Sequence, residues 1–150
     1  MLVTAESCTG GGLAYAITAI PGSSHWFERG FVTYSNISKE ELLGVKPEIL
    51  EEYGSVSEEA AIEMAKGALL HSHAQFSIAI TGVAGPEGGT PNKPVGTIYF
   101  AWGSLEKIYS QRHFFKGNRY MIRKQAIAFA LAKCHQLLPL FLPEGNNKPL

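Results

Sequence analysis

Short apolar runs alternate along this chain with longer amphipathic stretches, and only a few fold architectures are compatible with that order. Leu2 to Glu6, Phe31 to Tyr34 and Phe76 to Ile80 are short and rich in apolar or β-branched residues, which is typical of buried strands. Helical patterns separate each of these runs from the next. Val95 to Trp102 and Lys107 to Phe115 are joined by only a short turn, so they predict an antiparallel hairpin.

Helix signals occur between these runs. Ser38 with Glu41, Ser57 with the acidic pair after it, and Asn118 are each suited to begin a helix. The inward positions predicted for the two longest helices are Ala60, Ala61, Met64, Ala65, Ala68 and Leu69 in the first, and Met121, Ile122, Ala126, Phe129, Ala130 and Leu137 in the second. This order predicts an α/β fold with a mixed, mostly parallel sheet and helices on both faces.

The length, charge balance and cysteine content of the chain exclude several classes of protein. The 150 residues suit one domain, which we place at 1–142, and we expect 143–150 to be a flexible tail. Thirteen basic residues balance thirteen acidic ones, which argues against nucleic acid as the main partner. No apolar run reaches the roughly 20 residues that span a membrane, and no signal peptide is evident. Because Cys8 and Cys134 stand in no metal-ligand or disulfide spacing, we expect a cytoplasmic protein with neither a zinc site nor a disulfide framework.

Polar and glycine-rich segments follow the first three predicted strands. Ser7 comes directly after the first, Asn36 after the second and Gly82 after the third. In open α/β sheets, ligands bind at the carboxyl ends of the strands. We therefore expect these segments to meet in one site.

Ser7 is the first candidate nucleophile. It begins a segment in which Thr9, Gly10 and Gly11 lead into a helix, and free N–H groups at such a place stabilise an oxyanion. The alternative is that Ser7 and Thr9 only cap the helix, since hydroxyl caps are common. Cys8 is a rival nucleophile, but a catalytic thiol needs a base, and none of the five histidines sits in a recognisable site motif.

Lys39 is the candidate base, because it follows the second strand and can approach the same edge of the sheet as Ser7. A lysine accepts a proton only when neutral, so its pKa must fall by roughly 2–3 units from its ordinary value near 10.4. Tyr34 is placed to relay the proton. The alternative is a solvated lysine in the first turn of a helix.

The segment from Gly82 to Gly89 is a candidate cradle for a phosphate or a sugar, although it fits neither common phosphate-loop pattern. Basic residues around Arg119 and Arg123 are suited to hold a phosphate by paired hydrogen bonds. The alternatives are a flexible turn before the hairpin and a solvated basic face.

Taken together, ordered blocks covering Leu2 to about Leu138 resemble the CinA carboxyl-terminal domain family. The blocks are Thr4-Ala5-Glu6-Ser7-Cys8-Thr9-Gly10-Gly11, Gly22-Ser23-Ser24 with Trp26-Phe27, Gly30-Phe31-Val32-Thr33-Tyr34-Ser35-Asn36 with Lys39, Gly54-Ser55-Val56-Ser57, Thr81-Gly82-Val83-Ala84-Gly85-Pro86-Glu87-Gly88-Gly89 and Lys93-Pro94-Val95-Gly96-Thr97.

The resemblance implies a three-layer α/β/α sandwich and an amidase that converts nicotinamide mononucleotide to nicotinate mononucleotide and ammonia. It implies a catalytic pair, Ser7 and Lys39, with Tyr34 nearby, and neither a metal nor a cofactor. The residues expected to contact the nucleotide are Thr9, Gly10, Gly11, Asn36, Thr81, Gly82, Gly85, Arg119 and Arg123.

Two departures from the family pattern keep alternatives open. Family members usually carry a helix before the first strand, so one sheet face or an oligomer contact is expected to be less covered here. Gly117-Asn118-Arg119 replaces the frequent Gly-Asp-Arg. The competing functions are a nucleotide sensor without catalysis and an amidase for another small amide. We also expect a homo-oligomer.

Overall fold

The computed structural model describes residues 1–142, and the expected flexible tail at 143–150 lies outside the described residues. The strands are β1 (Leu2–Glu6), β2 (Phe27–Val32), β3 (Phe76–Gly82), β4 (Thr97–Gly103) and β5 (Ile108–Phe114). The α-helices are α1 (Gly12–Thr18), α2 (Asn36–Leu43), α3 (Pro47–Tyr53), α4 (Glu58–Leu70) and α5 (Arg119–Leu137). Within 1–142, no helix combines the length and the apolar character that crossing a membrane requires.

The five strands form one sheet in the order β2-β1-β3-β4-β5. β1 pairs in parallel with both of its neighbours, whereas β3–β4 and β4–β5 are antiparallel. The expected mixed sheet is therefore confirmed: four strands share one direction, and only β4 runs against them. β1 lies between β2 and β3 in the sheet. The chain passes from β1 to β2 on one side and then crosses to β3 on the other side, so the carboxyl end of β1 is the switch point of the sheet.

Alternating side chains of the central strands build two separate cores. On one face, Ile78, Ile80, Phe100 and Trp102 pack with residues of α1 and α5. On the opposite face, the smaller Val3, Ala5, Ala79 and Ala101 pack with residues of α2, α3 and α4. The three-layer α/β/α sandwich is thus confirmed, and the small side chains of the second face let α4 lie close to the sheet.

Three local expectations are corrected. The second strand covers Phe27–Val32 rather than Phe31 to Tyr34: the Thr33 N–H still donates to the Glu6 carbonyl at 2.8 Å, but the carbonyls of Thr33 and Tyr34 turn toward the amine of Lys39. The cap of α2 is Ser35, whose hydroxyl accepts the Ser38 N–H at 3.2 Å, so Ser38 lies inside the helix. Met121, expected to face inward, is 49% exposed in the first turn of α5.

The two other predicted caps are confirmed. Ser57 accepts the Ala60 N–H at 3.1 Å and begins α4. Asn118 accepts the Met121 N–H at 2.9 Å and begins α5. All six inward positions predicted for α4 are buried.

Gly67 sets the distance between α4 and α2. A Cβ at this position would overlap the backbone carbonyl of Leu43, the last residue of α2. Because Lys39 lies one turn before Leu43 on the same helix, the seating of Lys39 depends on this close approach.

We predict that Gly67→Ala destabilises the protein by about 1–3 kcal/mol, because the overlap with Leu43 outweighs the better helix propensity of alanine. Chemical denaturation measures this effect. Leu70→Ala, on the exposed end of the same helix, is the control and should change stability by no more than about 0.5 kcal/mol. An unchanged midpoint for Gly67→Ala would contradict this account of the helix contact.

Candidate active site

A cleft of about 290 Å³ opens at the carboxyl ends of the parallel strands. It lies at the switch point of the sheet, where ligand sites of α/β folds are found. The lining residues come from the turn after β1, the segments before α2 and α4, the loop after β3, and the start of α5: Ser7, Cys8, Tyr34, Ser55, Val56, Thr81, Gly82, Val83, Ala84, Gly85, Glu87, Gly88 and Arg119. The structure thus brings all three glycine-rich or polar strand exits to one place.

Ser7 lines this cleft and contacts Lys39, which lies behind it, outside the lining. The Lys39 Nζ lies 3.0 Å from the Ser7 Oγ and 2.7 Å from the Thr33 carbonyl oxygen, with the Tyr34 carbonyl at 3.5 Å. Lys39 is only 1% exposed, so the alternative of a solvated lysine does not hold. Burial lowers the pKa of Lys39 to about 8, because the charged amine loses its hydration.

The partners of Lys39 suit the neutral amine. A neutral amine has two N–H donors and one lone pair, whereas the ammonium has three donors and no acceptor. The two carbonyls of Thr33 and Tyr34 can take the two N–H groups, which directs the lone pair to the third neighbour, the hydroxyl of Ser7. No ion pair within residues 1–142 joins Lys39 to a carboxylate that would hold its proton. The amine is therefore arranged to accept a proton from Ser7.

Glu6, which sequence reasoning did not assign, caps α1 in place of Ser7 and Thr9. Its fully buried carboxylate accepts the Leu13 N–H at 2.7 Å, the Ala14 N–H at 3.1 Å and the Thr9 hydroxyl at 2.7 Å. The signal was available, because an acidic side chain just before a helix start is a favourable partner for its N–H groups. With the cap supplied by Glu6, the hydroxyl of Ser7 remains available to Lys39.

The turn after Ser7 leaves a particular set of N–H groups unused. Gly10, expected to help hold an oxyanion, donates its N–H to the Ser7 carbonyl at 3.0 Å. Gly10 and Gly11 have φ angles of +58° and +97°, which let the chain turn sharply into α1. Within the described part of the chain, the N–H groups of Cys8 and Thr9 donate to no other residue. The N–H of Gly11 is also unused within residues 1–142, but Cys8 and Thr9 follow Ser7 directly, so their N–H groups are the candidate oxyanion donors.

Cys8 lines the cleft, but its thiol is poorly suited to attack. Burial raises the pKa of Cys8 to about 12, with the nearby Glu6 adding a smaller contribution in the same direction. The thiol therefore stays protonated at neutral pH, and a protonated thiol is a weak nucleophile. This favours Ser7 over its rival.

Arg119 joins two walls of the cleft. Its Nη1 donates to the Gly85 carbonyl at 2.7 Å, and its Nη2 donates to the Tyr34 hydroxyl at 3.1 Å. The Tyr34 ring is 63% exposed, and its hydroxyl points to Arg119, whereas only its carbonyl is near Lys39. Because Lys39 already contacts Ser7 directly, a proton relay through Tyr34 is not needed.

Of the other residues predicted to contact the nucleotide, some line the cleft and some lie outside it. Thr81, Gly82 and Gly85 line the cleft, and the Thr81 hydroxyl donates to the Ser55 carbonyl at 2.6 Å. Ser55 also lines the cleft and had not been assigned from the sequence. Asn36 is exposed at the start of α2 and lies outside the lining.

Arg123 and the glycine turn are likewise outside the lining, although they surround Ser7. Arg123 donates from Nε to the Cys8 carbonyl at 3.1 Å and from Nη2 to the Thr9 carbonyl at 3.2 Å. Thr9 is fully buried with its hydroxyl on Glu6. In residues 1–142, no three side chains of His, Cys, Asp or Glu are grouped closely enough to hold a metal ion.

Comparison with known proteins identifies close relatives. The family model of the CinA C-terminal domain matches residues 1–138. The chain is 50% identical over 136 residues to the nicotinamide-nucleotide amidohydrolase PncC of Pseudomonas putida, which covers 91% of this chain and 85% of that protein. It is also 50% identical over 131 residues to the protein of the same name from Escherichia coli (strain K12), with 87% and 79% covered.

Solved structures agree with these relatives. The crystal structure of the competence damage-inducible protein A from Klebsiella pneumoniae superposes with a TM-score of 0.91 at 38% identity, covering 94% of this chain and 88% of that one. A CinA superfamily protein from Escherichia coli gives a TM-score of 0.87 at 44% identity, with 91% and 79% covered. With a family model over nearly all described residues and relatives matched over most of their own length, the chain belongs to the CinA C-terminal domain family.

Proposed function

We propose that this chain is an amidohydrolase that converts nicotinamide mononucleotide to nicotinate mononucleotide and ammonia through an acyl-enzyme on Ser7. The observation that carries the proposal is the 3.0 Å contact between the Ser7 hydroxyl and a buried lysine amine that has no carboxylate partner in residues 1–142. The relatives named nicotinamide-nucleotide amidohydrolase support the substrate, since they are 50% identical over most of the chain.

Acylation begins with proton transfer from Ser7 to neutral Lys39. The Ser7 Oγ attacks the carboxamide carbon as the proton moves to Nζ, so that the amine becomes an ammonium held by the carbonyls of Thr33 and Tyr34. The negative charge that develops on the amide oxygen is stabilised by the unused N–H groups of Cys8 and Thr9.

Breakdown of the tetrahedral intermediate returns the proton. Lys39 donates it to the amide nitrogen, the C–N bond breaks, and ammonia leaves with the acyl group still on Ser7. Neutral Lys39 then takes a proton from water, and the resulting hydroxide attacks the ester carbon. The C–O bond to Ser7 breaks, and Ser7 recovers its proton from Lys39. The acid so formed gives its proton to the released ammonia or to bulk water, and nicotinate mononucleotide departs as the carboxylate.

The rest of the cleft is suited to the nucleotide part of the substrate. Arg119 carries the only positive charge among the lining residues, and it stands beside the loop that begins at Gly82. Within that loop, the N–H groups of Ala84, Gly85 and Glu87 donate to no residue of the described chain, so they are available to phosphate or ribose oxygens. We assign the phosphate to Arg119 and this loop.

Two alternative functions give different results in an ammonia-release assay. A nucleotide sensor would bind nicotinamide mononucleotide without releasing ammonia. An amidase for another small amide would turn over free nicotinamide as well as the nucleotide, because it would have no need for the phosphate. The proposed function requires ammonia release from the nucleotide and little from the free amide.

Ser7→Ala is predicted to abolish ammonia release, by a factor of about 10⁴ or more, while the thermal unfolding midpoint changes little. Cys8→Ala is the matched control, because it removes the neighbouring thiol from the same turn and should retain most activity. Both variants are assayed for ammonia release at saturating nucleotide. Retained activity in Ser7→Ala together with its loss in Cys8→Ala would reverse the assignment of the nucleophile.

The rate should rise with pH through the pKa of Lys39, which burial lowers to about 8. Below that pH most molecules carry the ammonium, which cannot accept a proton from Ser7. We predict that kcat/KM increases roughly tenfold per pH unit below about pH 8 and reaches a plateau above it. A profile that is flat or falls over this range would exclude Lys39 as the base. Lys39→Arg, which stays charged, serves as the control and should be inactive throughout.

A further inference from the structure

Arg123, which lies on α5, contacts the turn after Ser7. Its Nε and Nη2 donate to the carbonyls of Cys8 and Thr9, at 3.1 and 3.2 Å. Cys8 and Thr9 are also the two residues directly after Ser7, and in the described chain their N–H groups donate to no other residue. Arg123 is partly buried and lies outside the cleft lining, so it is separated from the space that a substrate would occupy.

Peptide geometry connects these contacts to the oxyanion donors. In a trans peptide, the carbonyl and the following N–H lie in one plane and point in opposite directions. The guanidinium that holds the Cys8 carbonyl therefore directs the Thr9 N–H away from itself. Holding the Thr9 carbonyl fixes the next plane, whose Gly10 N–H closes the turn onto the Ser7 carbonyl at 3.0 Å.

The charge of Arg123 also acts on these peptides. A hydrogen bond from a guanidinium is charge-assisted, and it polarises the accepting peptide so that the N–H of the same plane becomes a better donor. On the opposite side, the Glu6 carboxylate holds the Thr9 hydroxyl and the first N–H groups of α1. A cation thus holds the turn at its carbonyls, and an anion holds it at the Thr9 hydroxyl and at the start of α1.

We propose that Arg123 is a positioning residue for amide hydrolysis: it fixes the turn whose Cys8 and Thr9 N–H groups receive the oxyanion, and it polarises the Thr9 N–H through the Cys8 carbonyl. This inference rests on the proposed function for the reaction itself. It differs from the sequence-based expectation that Arg123 grips the phosphate, and it leaves that task to Arg119, one helical turn away on α5.

The two arginines provide matched variants that separate the roles. Arg123→Met removes the donors while keeping an unbranched side chain, and it should lower kcat for nicotinamide mononucleotide by about 10- to 100-fold with KM within about twofold of wild type. Arg119→Met should instead raise KM for the nucleotide. Arg123→Lys keeps the charge without the planar fork, and it should recover part of the lost kcat.

Either of two results would overturn the proposal. A raised KM with normal kcat in Arg123→Met would make Arg123 a substrate ligand, and unchanged kcat and KM would leave it without a role in the reaction. Thermal unfolding of each variant shows whether the fold persists. The absence of ammonia release by the wild type would refute the proposed function instead.

A measurement on the wild-type protein covers the case in which the Arg123 variants do not fold. A fluorophosphonate reacts with the serine hydroxyl: the hydroxyl proton passes to Lys39, the Oγ–P bond forms, the P–F bond breaks and fluoride leaves. The phosphoryl oxygen is then expected at the oxyanion position. Amide proton resonances of Cys8 and Thr9 should then shift strongly downfield, because both N–H groups gain an acceptor. If the probe labels Ser7 and neither resonance moves, these groups are not the oxyanion donors, and the role proposed for Arg123 is wrong.

Discussion

The amine of Lys39 lies out of solvent between two backbone carbonyls and the hydroxyl of Ser7. An ammonium in that position loses its hydration, and in residues 1–142 it gains no carboxylate in return. The fold therefore tolerates an electrostatic cost there, and the cost produces an amine that can exist in its neutral form near physiological pH. The end of β2, the cap of α2 and the close approach of α4 all serve to hold this one group.

The turn after β1 depends on charges that stay fixed. Glu6 and Arg123 approach it from different directions, and each uses two or more hydrogen bonds to do so. Their opposite charges let a short, glycine-rich segment keep one conformation even though glycine is flexible. A site built this way requires no rearrangement when charge develops on the substrate, which is the condition for efficient electrostatic stabilisation.

The sequence predicted the architecture well because the relevant signals are local. Strand β1, the caps Ser57 and Asn118, and the inward face of α4 follow from patterns within a few residues. The end of β2 was placed too late, since Thr33 and Tyr34 have strand-like side chains and no local pattern shows that their carbonyls turn to the distant amine of Lys39.

Most residues of the site could be predicted from the sequence, but several of the hydrogen bonds between them could not. Ser7 and Lys39 were selected by their positions after neighbouring strands, and the structure brings them within hydrogen-bonding distance. Arg123 and the Tyr34 hydroxyl form hydrogen bonds with residues that are far away along the chain. No local sequence pattern therefore predicts these contacts. Glu6 was overlooked because its partners belong to the following helix rather than to a recognised motif.

The parallel pairing of β1 with β2 has a consequence for partly folded forms of the chain. Ser7 and Lys39 stand 32 positions apart and each follows one of these two strands. A slip of one residue between the strands would move one exit by about 3.3 Å along the other, which is as long as the hydrogen bond between the two side chains. In the proposed mechanism, misaligned or incompletely docked chains are therefore inert, and hydrolysis requires molecules whose sheet has its native alignment.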